Sequence, residues 1–165
     1  MTGIVAHPPA FTHVMHVKEL GHLVLYVSDL ERSRRFYKDV LGWQEVAGDT
    51  PLRFPAAAFS SGRTHHELLL IEVGPDAAPL PQGRHVGLYH FGLKVGDTDD
   101  ELRDAVRELE AAGVPVVGAS DHGVTHSLYI TDPDGNEIEL YIDVQPETWR
   151  DDPMAVFAPI KPLRL

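Results

Sequence analysis

Two histidines hold matching places in two similar stretches of the chain. His22 opens the run His22-Leu-Val-Leu-Tyr-Val-Ser-Asp29, and His90 opens His90-Phe-Gly-Leu-Lys-Val-Gly-Asp97. Each run is a histidine, an alternating apolar segment and a closing aspartate. A carboxylate, Glu139, lies in a later alternating segment. Glu137 shares its face, while Ile138, Leu140 and Ile142 occupy the other. An isolated strand glutamate is most often simply solvated, but here a whole face is acidic and must look to water or to a polar cavity. Two histidines and one carboxylate with open positions form the facial ligand set of non-haem Fe(II) oxygenases, and similar nitrogen and oxygen sites accept Mn(II). The chain has no cysteine, so thiolate sites, disulfides and cysteine nucleophiles are excluded and His, Asp and Glu remain as the strong ligands.

Other residues could act around such a set. His65 and His66 precede the apolar run Glu67-Leu-Leu-Leu-Ile71, and only one of two adjacent strand residues can enter a given cleft. Aligning the ends of the two halves places His66 at the position of Glu137 and Leu68 at that of Glu139. A one-residue slip would put Glu67 at the ligand position instead. His122 lies in an Asp-His-Gly loop before a strand carrying His126 and Tyr129. Loop histidines beside glycine are commonly inert, and a tyrosine among apolar neighbours is commonly core.

The elements that must position these residues repeat once, and such repetition decides the fold. In the first half a strand over 17–27 leads to a helix capped by Asp29, with Leu30, Phe36, Tyr37, Val40 and Leu41 as its apolar stripe and Gly42 as its stop. Strands follow near 43–47, 52–60 and 65–73. The second half gives a strand over 87–95, a helix over 99–112 stopped by Gly113, and strands near 114–117, 126–131 and 137–143. Asp134-Gly135 signals a tight turn between the last two. Tyr26, Phe36, Tyr37 and Trp43 are assigned to the core. The reading is α+β: one domain over 17–147 built of two βαβββ modules, 17–76 and 85–147, curled around one metal cleft that pseudo-twofold symmetry brings both histidines into. An arm, 1–16, precedes it. A proline-rich tail, 148–165, carries Trp149, Phe157 and Leu163 and is expected to pack on the body or on a partner.

The formal net charge of −11 argues against nucleic acid and anionic membranes as partners. The chain has no apolar run of membrane-spanning length and no basic, apolar leader, so a cytoplasmic protein is expected.

These motifs resemble the vicinal oxygen chelate superfamily, which holds glyoxalase I, fosfomycin-resistance enzymes and bleomycin-binding proteins. The resemblance covers 17–147 and is most specific in His65-His66-Glu-Leu-Leu-Leu70, Tyr89-His90-Phe-Gly-Leu93 and the run from Ser120 to Tyr141. Within the superfamily the chain resembles the type I extradiol catechol dioxygenases, in the glyoxalase/dihydroxybiphenyl dioxygenase-like fold. That resemblance implies a metal held by His22, His90 and Glu139, with Fe(II) as cofactor and Mn(II) as an alternative. It implies His66 over the oxygen site, His122 as acid–base group with His126 as rival, and Tyr129 bonding a substrate oxygen ten residues before the glutamate. The expected partners are a small aromatic substrate, O2 and further copies of the chain. Many members carry an additional pair of modules, and the stretch between His66 and His90 is long, with 74–83 as its insertion. Two other readings stand beside it: a glyoxalase-like metal isomerase or lyase with Glu67 as fourth ligand, and a metal-free drug-binding module.

Overall fold

The computed structural model describes residues 16–46 and 53–165. The arm therefore lies outside the described residues but for its last residue, as do Ala47 and Leu52 at the ends of two expected strands. Within the described residues the element order is β1 (Leu23–Val27), α1 (Leu30–Arg35) continued by a π-helical turn (Phe36–Val40), β2 (Gln44–Glu45), β3 (Ala56–Ser60) and β4 (Leu68–Glu72). The second module repeats it as β5 (His90–Gly96), α2 (Asp99–Ala111), β6 (Gly118–Asp121), β7 (Thr125–Thr131) and β8 (Glu137–Asp143). This is the expected mixed α+β architecture of two βαβββ modules. The tail adds α3 (Pro146–Asp151), a 3-10 turn (Pro153–Phe157) and β9 (Lys161–Pro162).

Local chemistry sets the helix ends. Asp29 accepts the Arg32 amide at 2.8 Å and starts α1. Thr98 and Glu101 form a reciprocal capping box that starts α2. Gly42 and Gly113 adopt positive φ, 67° and 71°, as the helix stops require. Sheet one has the order β1-β4-β3-β2 and sheet two β5-β8-β7-β6-β9. The first strand of each module pairs in parallel with the last, Leu23 with Leu68 and Phe91 with Ile138. β1 and β5 each form one edge of their sheet.

The apolar faces of both sheets, together with α1 and α2, build one continuous core. Leu25, Val27, Phe59, Leu68 and Leu70 come from the first module, and Leu102, Leu128, Ile130, Ile138 and Ile142 from the second. Burial of such aliphatic and aromatic groups, at about 1.5–3 kcal/mol each, holds the modules together through their helix-bearing faces. The buried Tyr37 hydroxyl adds a bond across the junction, donating to Asp132 at 2.9 Å. Burial beside that carboxylate raises the phenol well above its ordinary range, so it remains a donor.

Three expectations need correction. Tyr26 is not core: it is 71% exposed, because strand alternation puts it with His22 and Val24 on the face away from Leu25 and Val27. The β6 strand begins at Gly118, after the apolar Val114-Pro-Val-Val117 stretch that was assigned to it. Finally, β1 begins at Leu23, so residues 17–22 of the expected first strand lie outside it. Trp43 is partly buried against the core, as is Leu163 of the tail, while Phe157 is 76% exposed. No helix among the described residues is long and apolar enough to cross a membrane.

Candidate metal centre

β8 alternates as its sequence demands. Ile138, Leu140 and Ile142 are buried on the core face, and Glu137, Glu139 and Tyr141 point the other way. Parallel pairing sets His90 beside Glu137 and Gly92 beside Glu139. The absence of a side chain at Gly92 leaves room here, since a Cβ would stand 3.2 Å from the Tyr141 ring and 3.6 Å from a Glu139 carboxylate oxygen.

His90 Nε2 stands 3.3 Å from Glu139 Oε2. Two ligands at right angles on an ion, each about 2.1 Å from it, lie about 3 Å apart, so this pair suits two adjacent positions of one metal. The other ring nitrogen supports that geometry. His90 Nδ1 and Glu137 Oε1 are both buried, make no hydrogen bond elsewhere, and face each other at 3.4 Å. A carboxylate behind a ligating imidazole fixes the ring and raises its basicity.

Tyr129 lies opposite Glu139 across the β7–β8 ladder. Its hydroxyl is 2.8 Å from His122 Nε2 and donates to Glu139 Oε1 at 3.4 Å. Burial, then the Glu139 charge, push the Tyr129 phenol up to about 12, so it stays protonated near neutral pH. His126 projects to the other face of β7, where Asp99 at the start of α2 meets its Nδ1 at 2.6 Å. His122, not His126, therefore joins this group, although the sequence left both open.

The first module carries a second group. The His22 and His66 rings lie 4.6 Å apart, and His65 Nδ1 meets His66 Nδ1 at 2.5 Å. Desolvation, then the neighbouring His65 and His22, lower the His66 pKa and favour its neutral form. The observed register differs from either alignment of the halves read in the sequence. With Leu23 beside Leu68 and Phe91 beside Ile138, Glu67 corresponds to Glu137 and Leu69 to Glu139. Burial pushes the Glu67 carboxyl up, but bonds from Ser61 and the Arg63 guanidinium outweigh it and hold the pKa below its ordinary value. The first module thus presents histidine without a carboxylate at the ligand position.

Among the described residues, no three His, Asp or Glu side chains stand together as one metal-holding group. His22 and His66 stand in one group, and His90, Glu139, His122 and Tyr129 in another. One feature of the site has no signal in the motifs. The tail folds over β8 so that Trp149, Arg150 and Val156 join Val124, Tyr141 and Glu139 around a cavity of about 620 Å³. The aromatic and proline content of the tail hinted at packing, but not at this place.

The architecture and these motifs agree with comparison to known proteins. Residues 19–140 match the model of the Glyoxalase/Bleomycin resistance protein/Dioxygenase superfamily. The chain belongs to this superfamily. It is 37% identical over 141 residues to a catechol-2,3-dioxygenase of Bacillus subtilis (strain 168), which covers 86% of this chain and 47% of that protein. The chain thus spans about half the length of that relative. It is also 33% identical over 129 residues to a probable lactoylglutathione lyase of Synechocystis, covering 73% of this chain and 92% of the relative. Among solved structures, a glyoxalase/dioxygenase from Nostoc punctiforme superposes with a TM-score of 0.67 at 22% identity. That match covers 82% of this chain and all of the other, and it supports the fold alone.

Proposed function

We propose that this member of the superfamily is an Fe(II)-dependent extradiol dioxygenase that cleaves a catechol-type aromatic ring with O2. The observation that supports this most is the joint arrangement around Glu139. A ligating pair, His90 and Glu139, is backed by Glu137 and flanked by a protonated tyrosine bonded to a histidine. His90 and Glu139 would hold the metal with a His22 supplied by a second copy of the chain, and Mn(II) satisfies the same donor set. The bound metal supplies the electron coupling between a catecholate and O2.

The chain's own residues do the rest. The apolar walls of the cavity, chiefly Trp149, Val124 and Val156, suit an aromatic ring held against Glu139. Tyr129 donates a hydrogen bond to an anionic oxygen at that edge without giving up its proton, because its pKa is raised to about 12. His122, 2.8 Å from the Tyr129 hydroxyl, accepts a catechol proton on binding and returns it to the departing product. His66 would donate toward the oxygen side of the site. Atoms balance as one catechol plus one O2 giving one ring-opened acid.

A glyoxalase-like lyase with Glu67 as fourth ligand is less well supported, since Ser61 and Arg63 already engage that carboxylate. A metal-free binding module has no use for the His90–Glu139–Glu137 arrangement. Metal analysis of protein purified without air tests the reading. The wild-type chain is expected to hold one iron per chain and Glu139→Ala almost none; iron retained by a folded Glu139→Ala protein would remove Glu139 from the ligand set.

A further inference from the structure

We infer that the cavity beside Glu139 selects catechols carrying a carboxylate on their side chain, with Arg150 of the tail as the group that binds it. The inference deepens the proposed function and rests on its reading that an aromatic ring lies in this cavity against Glu139.

The tail is pinned at both ends. α3 starts at Pro146, just after β8 ends at Asp143. At the far end β9 pairs with β6, Ser120 with Pro162 and Asp121 with Lys161, and Leu163 packs against the core. Between these anchors Ala158 closes on the loop of His122, where a Cβ added at Gly123 would stand 3.4 Å from the Ala158 Cβ. Held in this way, Trp149, Arg150 and Val156 face the side of β8 that carries Glu139 and Tyr141.

The charges around the cavity single out one group. Glu139, Asp143 and Arg150 are the charged residues that line it. Glu139 belongs to the proposed ligand set, and Asp143 is already paired with Lys94 at 2.9 Å. Arg150 makes no ion pair or hydrogen bond among the described residues; its guanidinium lies 4.9 Å from the centroid of the Trp149 ring. An arginine in the last turn of a helix commonly serves the free carbonyls there, but Arg150 bonds none of them. A guanidinium held by a ring face keeps its N–H edge free to take a carboxylate through two parallel bonds.

Size and polarity agree with that ligand. The cavity of about 620 Å³ exceeds what a bare catechol fills and falls within the roughly 300–1,000 Å³ of sites for larger ligands. Val124, Val156 and Trp149 suit the ring, which leaves Arg150 for a substituent. Without that cation, Glu139 and Asp143 would repel an anionic side chain.

Equilibrium binding tests the inference apart from turnover. Catechols bearing a carboxylate directly, or on one or two methylenes, are each matched with their carboxamide. They are titrated calorimetrically under nitrogen into protein supplied with Zn(II), which cannot cycle electrons. In at least one pair the carboxylate is expected to bind about tenfold more tightly, as for a charge-assisted hydrogen bond at an exposed arginine, and the ratio should shrink as salt rises. Arg150→Ala should bring the ratio close to one, Arg150→Lys should keep part of it and Arg150→Glu should invert it. Equal binding within every pair, a preference that survives in folded Arg150→Ala, or no binding of any ligand overturns the inference. The dioxygenase reading fails separately. A carboxylate preference in a protein that takes up no oxygen when loaded with iron removes the reaction and leaves Arg150 as the selecting group. Oxygen uptake on neutral catechols with no carboxylate preference removes Arg150 and keeps the reaction.

Discussion

In the proposed site Glu137 neither ligates nor touches substrate, yet its removal is expected to weaken metal binding by about one to two orders of magnitude. The reason is its place behind His90. Glu137 Oε1 is 3.4 Å from His90 Nδ1, which makes no hydrogen bond elsewhere, and its side chain is 28% exposed. For full unit charges at that distance, an effective dielectric of about 40–80 gives about 1.2–2.4 kcal/mol. That corresponds to roughly 8- to 60-fold in a dissociation constant, within the ~10–100-fold typical of partners behind a metal ligand. Glu137→Gln keeps the shape and an acceptor oxygen and should sit near the low end; Glu137→Ala leaves Nδ1 without its partner and should sit near the high end. Competition against a chelator of known affinity under nitrogen, with Fe(II) and again with Mn(II), reads the difference. An unchanged dissociation constant in a folded Glu137→Ala protein would refute the argument that this carboxylate orients and strengthens His90.

Two further outcomes follow from the same geometry. Tyr129→Phe should keep its metal and lose about 10²-fold in turnover, because the hydroxyl links His122 to the reacting edge without ligating; equal turnover, or loss of the metal, counts against that role. Glu67→Gln should melt at a lower temperature than wild type near pH 7, with the gap closing as pH falls below about 4. The folded-state carboxyl has a depressed pKa, so its stabilisation is present above the ordinary carboxylate range and is lost as pH falls through the folded value. Thermal melts across pH 3–7 read the sign, and a gap that widens in acid contradicts it.

Much of this protein was legible where chemistry is local. The alternation of Glu137 and Glu139 against Ile138, Leu140 and Ile142 announces both a buried face and a polar one, and β8 obeys it. The helix cap at Asp29 and the stops at Gly42 and Gly113 are set within a turn of the chain. What escaped depends on distant partners. The β1–β4 register places Leu69, rather than Leu68 or Glu67, at the ligand position, and parallel strands are paired by packing across the module rather than by a connecting turn. Tyr26 reads as core because its strand alternates, but alternation does not say which face the helix covers. His126 stays a rival to His122 until Asp99 at the start of α2 claims it. Internal repetition predicts that His22 and His90 share one ligand group, whereas among the described residues His22 stands with His66 and His90 with Glu139.

Oxygen consumption is the measurement that bears most directly on the proposed chemistry. Protein loaded anaerobically with Fe(II) and exposed to air with a catechol should take up one O2 per catechol and give a yellow ring-opened product, while protein loaded with Zn(II), which cannot cycle electrons, should take up none. A stoichiometrically iron-loaded protein that consumes no oxygen with any member of a broad catechol panel would contradict the dioxygenase reading.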